Sequence, residues 1–205
     1  KTVVAHIVLL IAMALLAFGP NPSLDYLEAW VFLPLFVGAS LSVNLYLLWT
    51  SPDLLARRLS IGPIAEREPA QRYIMLMVLL GAIMLVALPA LDHRMNGSTL
   101  PPVVGVIGNL LTLSGWIVFF LVLRENAFAS ATVEISPDQK VIATGPYAWV
   151  RHPMYSGAAL MLVGVPLALG SWWGLPVSAA MILTLVVRIR DEERFLSARL
   201  PGYVD

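Results

Sequence analysis

Of the 205 residues, 59% are hydrophobic and only 13% are charged, and the mean hydropathy is +0.80. A soluble domain carries about 25% charged residues, so the composition excludes an ordinary soluble fold and points to the membrane. Lys plus Arg and Asp plus Glu balance at 13 each, which removes the basic excess that nucleic acid would attract. The lack of cysteine excludes disulfides, thiolate catalysis and cysteine-ligated metals.

Length predicts one domain over residues 1–205. The first residue is Lys1 rather than Met, as in a chain trimmed at its N-terminus, and the chain stops soon after a Pro-Gly-Tyr turn, as if a tail followed. A first apolar segment runs from about Val3 to Phe18. It lacks an A-x-A-like cleavage site and reads as a span rather than a signal peptide. Gly19-Pro20-Asn21-Pro22 breaks it. The second segment, about Ala29 to Trp49, closes at Ser51-Pro52. The third runs from about Tyr73 to Leu91, and the fourth from about Val103 to Leu123 behind Pro101-Pro102. The fifth, Pro153 to Leu169, and the sixth, Trp173 to Val187, are joined by Gly170-Ser171-Trp172. A crossing takes roughly 20 residues. Segments two to four qualify outright, and the last two read as a tight hairpin, kinked or tilted near Pro166 and Pro176. The expected fold is therefore all-α: a multi-pass transmembrane helical protein with about six membrane segments and a cytoplasmic C-terminal helix.

Charge placement supports that count. With six crossings and a cytoplasmic N-terminus, the inside regions hold Lys1, Arg57, Arg58, Arg67, Arg72, Arg124, Lys140, Arg151, Arg188, Arg190, Arg194 and Arg199. Only Arg94 lies outside, with Asp25, Glu28 and Asp92. That asymmetry is what the positive-inside rule demands.

Other features have plainer readings. Residues 51–72 interleave Leu54, Leu55, Leu59 and Ile61 with polar groups and read as an interfacial anchor. Gly38, Gly105, Gly108 and Gly157 permit close helix approach. His6, alone in the first segment, reads as a hydrogen-bonded helix contact. His93, beside Asp92 and Arg94, reads as solvated. Three scattered histidines without cysteine predict no metal site.

Two stretches carry chemistry. Gly145 to Tyr155, GPYAWVRHPMY, opens with a Gly-Pro turn, and Pro153 suits the first position of a helix. The free N–H groups of that helix start, in a basic and aromatic corner, suit an anionic group. A membrane-interface anchor would use the same residue types. After Val187 comes RIRDEERFLSARLPGY, where Arg188 and Glu192, four apart, share a helix face. A salt-bridged juxtamembrane helix would account for Arg190, Arg194 and Arg199, but not for Arg188 and Glu192 issuing from the hairpin that begins at Arg151-His152-Pro153.

Together, VIATGPYAWVRHPMYSGAAL, GSWW, RIRDEERFL and PGY resemble the isoprenylcysteine carboxyl methyltransferase family of integral-membrane methyltransferases over about Glu125 to Tyr203. The resemblance implies a single methyltransferase domain. Residues 1–124 would be membrane helices where substrate surfaces vary, and 125–205 a catalytic core. It implies S-adenosylmethionine (SAM) as methyl donor. Carried over by position, Thr132, Gln139, Lys140, Val141 and Ile142 would line the cofactor, and Tyr147 with His152, Pro153, Met154 and Tyr155 would bracket it. Glu192 would engage one of its polar groups, with Asp191 and Glu193 as neighbouring alternatives. Arg188 would be the catalytic residue, facing the acceptor carboxylate.

The residue chemistry is compatible. A helix start suits the carboxylate of SAM, a Glu its ammonium or ribose diol, and aromatic rings its adenine. Methyl transfer to a carboxylate needs no general base, which would fit a site without a poised His–carboxylate pair. The expected function is carboxyl O-methylation of a prenylcysteine-like or other lipidic substrate entering from the bilayer. The alternatives are phospholipid amine N-methylation, a sterol-type reductase using a nicotinamide cofactor, and a non-catalytic scaffold or transporter subunit. The expected location is an inner bacterial membrane, with both termini and the site cytoplasmic. Membrane lipids are expected partners and nucleic acid is not; the sequence is silent on oligomeric state.

Overall fold

A computed structural model describes residues 2–20, 24–59, 69–129, 140–200 and 202–203. Among these, the chain forms seven α-helices and one 3-10 turn, and no strand. They are α1 (Thr2–Phe18), α2 (Leu27–Thr50), α3 (Pro52–Leu59), α4 (Pro69–Arg94), α5 (Pro102–Glu125), α6 (Pro153–Ala168) and α7 (Gly174–Arg199), with the 3-10 turn at Gly145–Ala148 between α5 and α6. Proline opens α3, α4, α5 and α6, where its missing N–H is no loss and its fixed φ suits the helix.

Leu27–Thr50, Gln71–Arg94 and Pro102–Glu125 are long and apolar enough to cross a membrane. At 24 residues each, they reach about 36 Å at 1.5 Å per residue. Helices α1 and α6 are apolar but shorter, at 17 and 16 residues.

The predicted last segment and C-terminal helix are one element. α7 continues without a break from the apolar Gly174 end to the charged Arg199 end, because no Gly or Pro interrupts residues 177–199. The hairpin with α6 is as expected. Gly170 takes φ +70° in its turn, a left-handed conformation that glycine adopts without penalty.

Helix α6 touches α2, α4, α5 and α7, so it sits at the centre of the bundle. Its contact with α5 is made backbone to backbone. A Cβ at Gly108 would lie 2.7 Å from the carbonyl oxygen of Gly164, and one at Gly115 would lie 2.6 Å from that of Gly157. Glycine is what allows the two helices to close. Gly38 does not share that role, since a Cβ there would meet nothing within 4 Å. At one end of the bundle, the Tyr26 hydroxyl donates to the Leu169 carbonyl over 2.7 Å, tying the start of α2 to the end of α6.

Two polar readings from the sequence are corrected here. Helix α4 runs on to Arg94, so Asp92, His93 and Arg94 form its last turn rather than a solvated loop. Asp92 is buried and accepts from the Ser171 hydroxyl at 2.5 Å, and His93 stacks on Tyr26 at 4.2 Å. Residues 52–59 are also not merely a surface anchor. Leu54 and Leu55 are buried against Val43, Leu47 and Leu123, which seats α3 under α2 and α5; Ile61 lies outside the described residues. His6 behaves as expected. It is buried, its Nδ1 pairs with the Thr2 carbonyl oxygen at 2.8 Å, and its Nε2 meets Ser40 and Asn44 of α2.

Candidate active site

The seating of α3 brings two arginines to the C-terminal end of α5. Arg57 donates to the Ala127 carbonyl at 2.7 Å, and Arg58 to those of Ala129 and to the Met154 sulfur, both at 3.4 Å. The chain after α5 is folded back by Asn126, whose Oδ1 accepts from the Phe128 N–H at 2.9 Å. Its Nδ2 donates to the Tyr147 hydroxyl at 2.8 Å. Gly145, at φ +58°, makes the reversal into the 3-10 turn; a side chain there would press on the Glu125 carboxyl, which accepts from the Thr144 hydroxyl. These contacts aim the segment from Lys140 to Tyr147 across the start of α6.

A cavity of about 520 Å³ lies at that point, within the range of roughly 300–1,000 Å³ typical of small-molecule sites. One part of its wall is apolar, made by Met75 and Val78 of α4, Phe119 of α5, Ala158 of α6 and Leu185 of α7. The other part is polar and mainly cationic. Arg58, Lys140, Arg151, His152 and Arg188 line it, with Glu192 as the acid and Tyr147, Tyr155 and Tyr203 as hydroxyl groups.

Two hydrogen-bond chains organise the polar part. In the first, the buried Arg188 donates through Nε to the Tyr155 hydroxyl at 3.2 Å and through Nη1 to Gln71 Oε1 at 3.1 Å. The Tyr155 hydroxyl donates in turn to Glu192 Oε2 at 2.5 Å. Burying a guanidinium is costly unless its donors are met, and Gln71 and Tyr155 meet two of them. In the second, His152 Nε2 lies 2.5 Å from Glu193 Oε1, which also accepts from the Tyr203 hydroxyl at 2.9 Å; Arg151 approaches Glu193 Oε2 at 3.7 Å. Tyr203 is thereby linked through Glu193 to His152 at the start of α6.

Burial and these partners set the charge states. Burial pushes the Glu193 carboxyl up, but hydrogen bonds from His152 and Tyr203 and the charges of His152 and Arg151 outweigh it and hold it below its ordinary 4.5. Burial, then the bond to Glu193, raises the Tyr203 phenol, which stays protonated as a donor. Burial also raises Tyr147 and lowers Arg58, the latter partly offset by Tyr147 and Tyr155.

Of the residues singled out in the sequence, Lys140, Val141, Ile142, Tyr147, His152, Pro153, Met154, Tyr155, Arg188 and Glu192 all line this one cavity. Thr132 and Gln139 lie outside the described residues. Arg188 is buried and held by Gln71 and Tyr155. Sequence reasoning also missed the His–carboxylate pair. His152 and Glu193 are 41 positions apart and meet only because α6 and α7 form the hairpin. Gln71 and Arg58 were missed as well. Neither stands in a motif, and the only signal was their position on the basic side of the charge asymmetry.

Residues 103–200 match the phospholipid methyltransferase family. That family shares its clan of membrane methyltransferases with the isoprenylcysteine carboxyl methyltransferases. The matched stretch comprises α5, the 3-10 turn, α6 and α7, which supply most of the cavity wall. No curated protein and no solved structure matches the chain. Residues 103–200 are thus similar to a family of membrane methyltransferases, and the chain has three helices long and apolar enough to cross a bilayer, α5 within the matched stretch and α2 and α4 before it.

Proposed function

We propose that this protein is a SAM-dependent methyltransferase acting on the head group of a lipidic substrate. The observation that carries the reading is the divided cavity: a polar, cationic part and an apolar part drawn from four helices, both built largely by the matched stretch. The donor set suits SAM. The N-terminus of α6 suits its carboxylate, Glu192 its ammonium or ribose diol, and Tyr147 with Met154 an aromatic base. Lys140, Val141, Ile142, His152, Pro153 and Tyr155 complete its enclosure, and Thr132 and Gln139 are proposed to belong to the same cofactor segment. Bound there, SAM supplies an electrophilic methyl group.

The chain's own groups then orient and exclude water, which is where the rate of such a transfer arises. Arg188 is proposed as the catalytic group that holds the anionic part of the acceptor, a carboxylate or a phosphate, next to Tyr155 and Glu192. The lipid tail would lie along Met75, Val78, Phe119 and Leu185, having entered from the bilayer. In this reading, residues 1–205 act as one domain, six segments cross an inner bacterial membrane, and the site and both termini face the cytoplasm. The match to phospholipid methyltransferases favours a phospholipid acceptor over a prenylcysteine.

Transfer of a radiolabelled methyl group from SAM to lipids in detergent micelles tests the reading. Label should appear in a lipid fraction, and Arg188→Lys, which keeps charge but loses the planar fork, should reduce it about ten- to a hundredfold. Full activity of Arg188→Lys would remove Arg188 from the mechanism. Reduction of a lipid double bond at the expense of a nicotinamide cofactor, with no label transferred, would replace the methyltransferase by a reductase.

A further inference from the structure

The stretch from Gly145 to Tyr155 gives the cavity Tyr147, His152 and Tyr155, but Trp149 and Val150 do not line it. Trp149 is 89% exposed, and Val150 beside it is exposed as well. Their exposure is built into the local fold. The N–H groups of Trp149 and Val150 both donate to the Pro146 carbonyl, at 3.2 and 3.3 Å. On one flank Tyr147 is tied to Asn126, and on the other His152 is tied to Glu193. With both flanks held inward, Trp149 and Val150 form a fixed outward tip, which loses little conformational freedom on binding.

The helices around the tip give its depth. It stands level with the last turn of α5, because Gly145 packs on Glu125 and Tyr147 bonds to Asn126. α2 ends at the same level, where Leu47 packs with Leu123. Two further aromatic side chains are exposed at this end: Trp49, at 82%, near the end of α2, and Tyr73, at 72%, near the start of α4. Trp30, Trp172 and Trp173 are exposed at the opposite end. Trp30 and Trp49 are 19 residues apart on α2, or about 28 Å at 1.5 Å per residue. The hydrocarbon core of a bilayer is roughly 30 Å thick. The two aromatic sets therefore mark its two faces, and the tip belongs to the set at the cavity. Val78 lies five residues beyond Tyr73 along α4, and Phe119 six before Glu125 along α5. The apolar wall thus reaches about 8–9 Å below the aromatic level, and the cavity straddles the boundary between head groups and acyl chains.

Charge completes the surface. Arg124, in the last turn of α5, is exposed, and Arg151, next to the tip, has 73% of its side chain exposed. The carboxylate nearest Arg151, Glu193 at 3.7 Å, is already bonded to His152 and Tyr203. An indole at interfacial depth between two outward guanidinium groups matches an anionic lipid surface. We propose that the tip at Trp149 and Val150 is a membrane-docking element: it sits in the head-group layer, engages anionic lipid there through Arg124 and Arg151, and holds the mouth of the cavity at that depth. The docking does not depend on which reaction the cavity performs.

A nitroxide on Ala148→Cys, beside the tip, reads the depth in the full chain, which has no cysteine of its own. The protein is reconstituted into vesicles of phosphatidylcholine alone or of phosphatidylcholine and phosphatidylglycerol in equal parts. Access of a water-soluble nickel chelate is compared with that at Ser197→Cys, an exposed water reference on α7, and at Ser114→Cys, an exposed lipid reference in the middle of α5. In the mixed vesicles, access at Ala148 should fall between the two references, and it should rise in phosphatidylcholine alone. Arg151→Gln should weaken docking in the mixed vesicles about fivefold, as for one cation near an anionic surface. Trp149→Ala should raise access to the water reference, whereas Trp149→Tyr, which keeps an interfacial aromatic ring, should retain protection. Access equal to the water reference in both kinds of vesicle would overturn the proposal and leave the tip to a protein partner. Protection that persists in Trp149→Ala, or that is the same with and without phosphatidylglycerol, would overturn it too.

Discussion

Arg188 shows how much of the site a single residue can reveal, and where that stops. Its spacing from Glu192 was legible as one helix face, and the structure brings both to the same cavity with Tyr155 between them. What the sequence could not supply was Gln71, which lies 117 positions away and is brought in by the packing of α4 on α7. Removing its carbonyl by Gln71→Leu strips a buried guanidinium of one acceptor. Loss of a hydrogen bond to a charged group costs about 1.5–3 kcal/mol, so the melting temperature in detergent should fall measurably. An unchanged melting temperature would mean that another acceptor replaces Gln71. Glu193 gives a second residue-scale prediction. Its carboxyl is held below its ordinary 4.5, so its bonds stabilise the folded chain fully above that pH and lose their contribution as the pH falls through the lowered value. Acidification below pH 4.5 should loosen the Tyr203 turn, read as faster C-terminal proteolysis, and Glu193→Gln should flatten that dependence.

At the scale of elements, the helices were readable because proline and glycine punctuate them; prolines begin α3, α5 and α6 where the breakers stood in the sequence, whereas α4 begins at Pro69, four residues before the apolar run at Tyr73 that marked it. The boundary between the sixth segment and a C-terminal helix was misplaced for a physical reason. A change from apolar to charged residues marks where a helix leaves the bilayer, not where its hydrogen bonding stops. α7 passes through Val187 and Arg188 without a break. The role of α3 was missed because an amphipathic turn reads alike against lipid and against protein; here its leucines face Val43 and Leu123. Leu54→Ala should therefore cost about 2–5 kcal/mol, as for a buried leucine. A surface anchor would lose far less, and denaturation of the two proteins in micelles distinguishes the cases. The α5–α6 contact is stricter. Gly164→Ala puts a methyl group 2.7 Å from the Gly108 carbonyl oxygen, so the helices must separate, at a cost of about 1–3 kcal/mol or more. Gly38→Ala, with open space around it, should be neutral.

Across the whole molecule, chemistry and charge coincide. Arg58, Arg151 and Arg188 gather at the cavity end of the bundle, whereas Ser98 and Trp172 meet at the other end, where the Trp172 N–H donates to the Ser98 hydroxyl at 3.3 Å. The six-crossing proposal requires that these ends face opposite sides of the membrane. The chain has no cysteine of its own, so Ser98→Cys and Ser197→Cys can be labelled singly in intact vesicles. Opposite accessibility is expected, and labelling of both from one side would require a different number of crossings. The central claim, however, concerns what the cavity holds, and calorimetric titration of the purified protein with SAM tests it most directly. The account predicts saturable binding at one site per chain, weakened at least tenfold in Glu192→Ala while the melting temperature changes little. Absence of SAM binding by the folded wild-type protein, or equal binding by Glu192→Ala, would contradict it.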